Sequence, residues 1–165
     1  MAETVSFSEI VTRTLHPDWI EENVLLHQAF LLKENETYIS VNRPAVSSYD
    51  DDVSDFIMKH PEFSSDNKYK RALLSVGDVC NINITLEGID AIVQVEIEPR
   101  DAHYKSHAGI FTRIENKNVK KGQLFETRTK ENISADSILL EVRMNLLDIA
   151  TVEECTLPKA ESAKE

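Results

Sequence analysis

Between residues 91 and 98 the side chains alternate strictly, with Val93, Val95 and Ile97 on one parity and Gln94, Glu96 and Glu98 on the other. A period of two cannot describe a helix, where residues three and four apart share a face. The stretch has to be a strand with one face in a core and one in water, the habit of an antiparallel sheet. A similar alternation precedes it, Cys80, Ile82, Ile84 and Leu86 against Asn81, Asn83 and Thr85, with Glu87-Gly88 as a turn between them. The two segments are expected to form an antiparallel meander, entered from Leu73, Leu74 and Val76 through Gly77-Asp78. Further strands are expected at 24–32 (apolar and buried), at 37–41 (ended by Pro44), at 107–114 and at 123–128. Residues 8–15 suit a strand or a helix.

Helical signals are few. His16-Pro17-Asp18-Trp19-Ile20 reads as a single turn, with Pro17 at its first position and Asn23 as its stop. Ser47-Ser48 precedes a short helix in which Val53, Phe56 and Ile57 share a face and which ends before Pro61. Asp50, Asp51 and Asp52 suit the positive end of that helix, which accounts for the acidic run without a metal. Residues 62–70 read as a loop. Asp136 caps a last helix whose face carries Leu139, Val142 or Arg143, Leu146 and Ala150, with Leu140, Met144 and Leu147 beside it. No repeat and no linker interrupts the pattern. The expectation is one α+β domain over 1–156, an antiparallel meander packed with two or three short helices, and a disordered charged tail over 157–165.

A length of 165 residues suits one domain, and a 41% hydrophobic content is too high for a disordered chain. Four glycines leave no P-loop or dinucleotide fingerprint, and neither a G-x-S-x-G elbow nor an H-E-x-x-H helix occurs. The N-terminal residues show no signal peptide and no apolar run reaches about 20 residues, so a cytoplasmic protein with no membrane partner is expected. Asn35, Asn83 and Asn132 then head chance glycosylation triplets. Cys80 and Cys155 are too few for a disulfide framework, and Cys80 reads as a small core residue.

The densest reactive cluster runs from Glu98 through Asp101, His103, Tyr104, Lys105 and Ser106 to His107. His103 and His107 could share a metal on a helix, but on a strand they stand about 13 Å apart, so no metal and no cofactor is expected. His107 at a strand start can act as a general base, with Asp101 or Glu98 orienting its second nitrogen. A second cluster joins Arg13, His16 and Trp19 to Ala29-Phe30 and to Ser40-Val41-Asn42-Arg43, groups able to hold an anion or a ribose. His27 and His60 read as structural or surface residues, and Trp19 as core. The net charge of −11 is uneven, because 100–130 carries eight bases against three acids. Lys105, Arg113, Lys120 and Lys121 are its anion-binding candidates, and Tyr104, Phe111 and Phe125 interleave with them.

The order His16-Pro17-x-x-Ile20, Ala29-Phe30, Ser40-Val41-x-Arg43 and His107-Ala108-x-Ile110 resembles a scattered set of small uncharacterised bacterial proteins. That resemblance implies no activity, but it groups His16, Ser40, Arg43 and His107 as one catalytic site. An early Arg/His pair and a Ser-bearing strand also loosely resemble NAD-consuming ADP-ribosyl transferases. The resemblance implies an Arg or His on the dinucleotide, a Ser-bearing strand under the nicotinamide ribose, and a later glutamate, Glu126 or Glu98. Three functions are therefore expected in order: a module docking a partner protein, a small enzyme built on those four residues, and a nucleic-acid binder acting through 100–130. The last is disfavoured by the net charge of −11. An edge strand of the meander also offers pairing with a second copy, hence a homodimer.

Overall fold

The computed structural model describes residues 4–85, 92–100, 103–130 and 132–157. The ambiguous stretch 8–15 becomes strand β1 (Ile10–Leu15), as its β-branched content favours. His16 then caps a 3₁₀ turn, Pro17–Trp19, its Nδ1 accepting from the Asp18 N–H at 3.0 Å. Strands β2 (Ile20–Glu21) and β3 (Val24–Leu25) form a hairpin whose corners, Glu22 at φ 51° and Asn23 at φ 66°, are both left-handed. Asn23 is thus a turn residue of a hairpin and not a helix stop. The apolar run 24–32 is not a buried strand either. His27 and Gln28 are exposed, so it breaks into β3 and a 3₁₀ turn, His27–Phe30, that sends only Ala29 and Phe30 into the core.

Strand β4 (Tyr38–Asn42) and helix α1 (Tyr49–Lys59) follow, with a 3₁₀ turn at Pro61–Phe63. Strand β5 (Lys68–Ser75) starts inside the expected loop, after Asp66 and Asn67 turn the chain at positive φ. The alternating segment from 79 is not a strand. Ser75 caps a short helix, α2 (Val76–Cys80), its Oγ accepting from Asp78 N–H at 3.5 Å, and Val76 and Val79 are buried one turn apart. Residues 81–85 continue outside any regular element, and the proposed turn at Glu87-Gly88 lies outside the described residues. Strand β6 (Val93–Pro99) therefore pairs with β7 (His107–Ile114), and β8 (Lys117–Asn118) folds back on β7. Strand β9 (Leu124–Glu126) pairs with β10 (Asn132–Ser134) in a separate ribbon. Helix α3 (Ala135–Ile149) leads to an unforeseen strand, β11 (Thr151–Thr156), which is largely exposed and so lacks an inward apolar row. Leu157, grouped with the tail in the sequence reading, gives its N–H to the Asn67 carbonyl at 2.7 Å; residues 158–165 lie outside the described ones.

The main sheet is antiparallel and seven-stranded in the order β11-β5-β1-β4-β7-β6, with β8 beside β7, and the chain is a single α+β domain as expected. One face carries the core. Val11, Leu15, Val41, Leu74 and Ile110 meet Phe30 and, from α3, Val142 and Leu146. The other face is covered over β5 by α1, whose Tyr49, Val53 and Ile57 pack with Tyr69. No helix among the described residues is long and apolar enough to cross a membrane.

Arg43, just after β4, is only 4% exposed and forks onto Glu9, Nε to Oε1 and Nη2 to Oε2, both at 2.9 Å. Its guanidinium holds the Glu9 carboxyl below the usual carboxylate range. Arg43→Ala leaves Glu9 facing a vacated, water-poor site and is expected to cost about 3–5 kcal/mol, read as a lower chemical-denaturation midpoint with unchanged slope. Because the folded Glu9 pKa is depressed, its contribution is full above the ordinary carboxylate pKa and lost as pH falls through the folded value. In Arg43→Ala that acid-side loss is expected to shrink. An unchanged midpoint would remove Arg43 from the fold's essential contacts.

Candidate functional site

The sheet has one weak seam. Strands β1 and β5 are in register from Ile10↔Ser75 to Leu15↔Lys70, and β4 and β7 from Tyr38↔Phe111 to Asn42↔His107. Strands β1 and β4 register only at Thr12↔Asn42 and then part. Arg13 spans the opening. Its Nε donates to the Ala29 carbonyl at 2.5 Å and its Nη1 to the Ser40 carbonyl at 2.7 Å, while the guanidinium lies over Trp19, 4.9 Å from the ring centre. Arg13 has the parity of the buried Val11 and Leu15, yet it lines the same cleft as Ser40, Asn42 and His107, which belong to the opposite face. The gap between the strands lets one side chain serve both sides. Burial pushes its pKa down to about 10, with only partial relief from the charge on Glu36. Among the described residues no carboxylate lies in ion-pair range of Arg13, and its Nη2 makes no hydrogen bond.

The cleft beside it has a volume of about 540 Å³, within the range of small-molecule sites. Its aromatic wall comes from Trp19, Phe63 and Phe56, with Trp19 and Phe63 edge to face at 5.8 Å and Phe56 and Phe63 at 5.0 Å. His60 lies against Phe56 at 4.7 Å, and His16 meets the edge of Phe63 at 5.3 Å. The opposite wall is the segment leading into β7. Asp52 on α1 holds that segment, accepting from the Ser106 N–H at 3.0 Å and its Oγ–H at 2.6 Å. Asp55 accepts from Tyr104 O–H at 2.7 Å and pairs with Lys59 at 2.9 Å, and both contacts hold its carboxyl below the usual range. The aspartates therefore do more than suit a helix end: Asp52 and Asp55 fasten the loop that shapes the cleft.

Ser40 and His107 are cross-strand neighbours offset along β4 and β7, and Ser40 Oγ lies 3.2 Å from His107 Nε2. Burial lowers the His107 pKa, and a hydrogen bond to the Arg100 main chain opposes it. A neutral imidazole in contact with a hydroxyl can take its proton or orient it. Glycine is needed opposite Ser40, since a Cβ at Gly109 would stand 2.6 Å from the Tyr38 ring.

The structure thus brings Ser40 and His107 into the cleft and places His16 behind its aromatic wall. Arg43 is bound to Glu9 outside the lining. Arg13, Asp55, Lys59, His60 and Phe63 line the cleft and were not among the four. Phe56, Lys59 and His60 stand at helical spacing at the end of α1, and Phe63 joins them from the 3₁₀ turn Pro61–Phe63, a tertiary contact the apolar stripe of α1 did not announce. Glu98, a candidate partner for His107, instead grips Arg113, and the carboxyl is held below its usual range as a result. Asp101 lies outside the described residues.

In the basic segment Arg113 is committed to Glu98 and Asn118, Arg128 to Glu115, and Arg100 stacks over Tyr38 at 5.0 Å. Phe111 and Phe125 are buried, and Lys105 and Lys120 stand away from the cleft. Lys121 lines a different groove. The described residues contain no group of three or more His, Cys, Asp or Glu able to hold a metal.

No family model, no curated protein and no solved structure matches the chain.

The lowered His107 pKa gives a direct test. Its imidazole resonances are expected to titrate in NMR with a midpoint below the ordinary value near 6.5. Its stability contribution is then full above that ordinary value and lost as pH falls towards the folded one. His107→Gln should flatten that window; a midpoint at or above the ordinary value would contradict the burial account.

Proposed function

We propose that this protein is a binding domain for a small planar compound carrying an anionic group, a nucleoside monophosphate being the nearest common example. The observation that carries the reading is Arg13, a desolvated guanidinium held by two main-chain carbonyls, stacked on Trp19, and without a carboxylate in ion-pair range among the described residues. A cation kept in that condition is stabilised by an anion arriving from solvent, and a phosphate or carboxylate can meet its open edge through charge-assisted hydrogen bonds. The flat faces of Trp19, Phe56 and Phe63 supply the apolar wall for a ring, and Ser40, Asn42 and His107 supply polar groups at its rim.

The contact between Ser40 and His107 supports a second reading, a group-transfer enzyme acting on the same ligand. In the ADP-ribosyl-transfer form of that reading a glutamate completes the site. Glu98 is held by Arg113 and Glu126 lies on the separate ribbon strand β9, so among the described residues Asp55 is the carboxylate that lines the cleft. Binding is the better-supported reading because it needs no further residue.

Trp19 is the single tryptophan, so its fluorescence reports the cleft alone. Adenosine monophosphate and phenyl phosphate are expected to change that emission saturably, while adenosine and inorganic phosphate, each offering half the chemistry, act at much higher concentration. Arg13→Lys keeps a charge but loses the planar fork, and is expected to weaken binding about tenfold, or about 1.4 kcal/mol. No saturable change with either aromatic phosphate, on folded protein, would overturn the proposal.

A further inference from the structure

A second opening lies on the other side of the sheet, where α3 leaves part of its length uncovered beside the turn that carries Phe30. The groove there has a volume of about 280 Å³, and Leu31, Leu32, Leu139 and Leu140 line it together with Lys121 and Arg143. Arg143 is half-buried, its Nε is wholly buried, and that Nε has no hydrogen-bond partner. No ion pair among the described residues involves Arg143 or Lys121. Asp136, the acid in the lining, is engaged by the Gly122 N–H at 2.7 Å. On the same helix Leu140 is 41% and Met144 48% exposed, one turn apart, so the apolar floor continues onto an open rim.

That Nε is closed to solvent, so a ligand in the groove would meet the other nitrogens of the guanidinium, which no carboxylate among the described residues engages. An acceptor with negative charge suits that edge, and leucine side chains flank it. The groove is open and shallow and its rim is spaced by one helical turn, which suits side chains of another polypeptide better than a single acyl chain. The groove lining carries Lys121 and Arg143 against Asp136, a local positive excess in a chain of net charge −11. We propose that the α3 groove docks a partner polypeptide segment in which an aspartate or glutamate sits between large apolar residues, its carboxylate on Arg143 and Lys121 and its apolar neighbours on Leu139, Leu140 and Met144. This site is independent of the cleft at Arg13.

Panning the full-length protein against a displayed library of random dodecapeptides tests it. The selected pool is expected to be enriched in an acidic residue flanked by Leu, Ile, Phe or Met. Synthetic copies should lose about tenfold or more in affinity for Arg143→Met and for Lys121→Glu, and should bind Arg13→Lys as they bind the wild type. Arg143→Met is also expected to hold or raise the thermal midpoint, since it removes an unsatisfied buried donor. A pool without acidic residues, affinities indifferent to Arg143→Met, or a midpoint several degrees lower in that variant would each overturn the proposal. So would self-association of the wild type in sedimentation that Arg143→Met abolishes, because the groove would then hold a second copy.

Discussion

One guanidinium holds two main-chain carbonyls from separate segments, and the character of the molecule follows from that contact. Strands β1 and β4 register at a single residue pair and then diverge, leaving β4 carbonyls without ladder partners. A backbone acceptor in such a place must find a donor or lie open to water. Arg13 supplies the donor for Ser40, and by bonding Ala29 as well it ties the 3₁₀ turn that carries Phe30 to the seam. A lysine could not span both carbonyls with a fixed geometry. The cleft is therefore no accident of loop packing. It is the space that a sheet leaves when a side chain replaces a stretch of strand pairing, and the replacing side chain is a cation.

Three other arginines on or next to the sheet give the contrast with Arg13. Arg43 meets Glu9 in a fork, Arg113 meets Glu98 in another and lies over Phe111 at 4.3 Å, and Arg71 is shared between Glu153 and the Tyr49 hydroxyl. Each has its charge answered within the fold, and those pairs bear on stability and register. Arg13 is touched by dipoles, the two carbonyls and the indole face of Trp19, and the charge on Glu36 reaches it only from beyond ion-pair range. Carbonyl dipoles can fix a guanidinium without neutralising it, so the charge is still on offer to a ligand.

Much of the sheet was legible because its signals are local. The alternation of Val93, Val95 and Ile97 needs only its own segment to be read, and β6, β7 and β4 lie close to where the sequence puts them. The same rule misled at Cys80, Ile82 and Ile84, where Ser75 starts a helix and an apolar coil follows it against the core, so apolar spacing imitated a strand. Strand β11 carries too little inward apolar content to announce itself, since its pairing with β5 is made by backbone groups that every residue has. In the site, Ser40 and His107 were legible as polar residues at strand positions. Arg43 looked equivalent to them, because nothing near it in sequence reveals Glu9, 34 residues away, as its partner. Electrostatic commitments of that kind are tertiary facts, and residue type alone does not carry them.

The acidic surplus gives the two open cations their meaning. In a protein of net charge −11 a polyanion meets long-range repulsion, while a compact ligand with one or two charges feels mainly the local field inside a low-dielectric opening. Arg13 and Arg143 stand at openings on opposite sides of the sheet, each flanked by apolar or aromatic surface. That combination is the basis for proposing anions with a hydrophobic body at both openings. The two openings differ in lining: the cleft bounded by α1 is walled by aromatic rings, the shape proposed for a small molecule, and the groove on α3 is lined by leucines, the surface proposed for a polypeptide. The seam between β1 and β4 is what opens Arg13 to the cleft, on the side of the sheet opposite the one on which α3 packs.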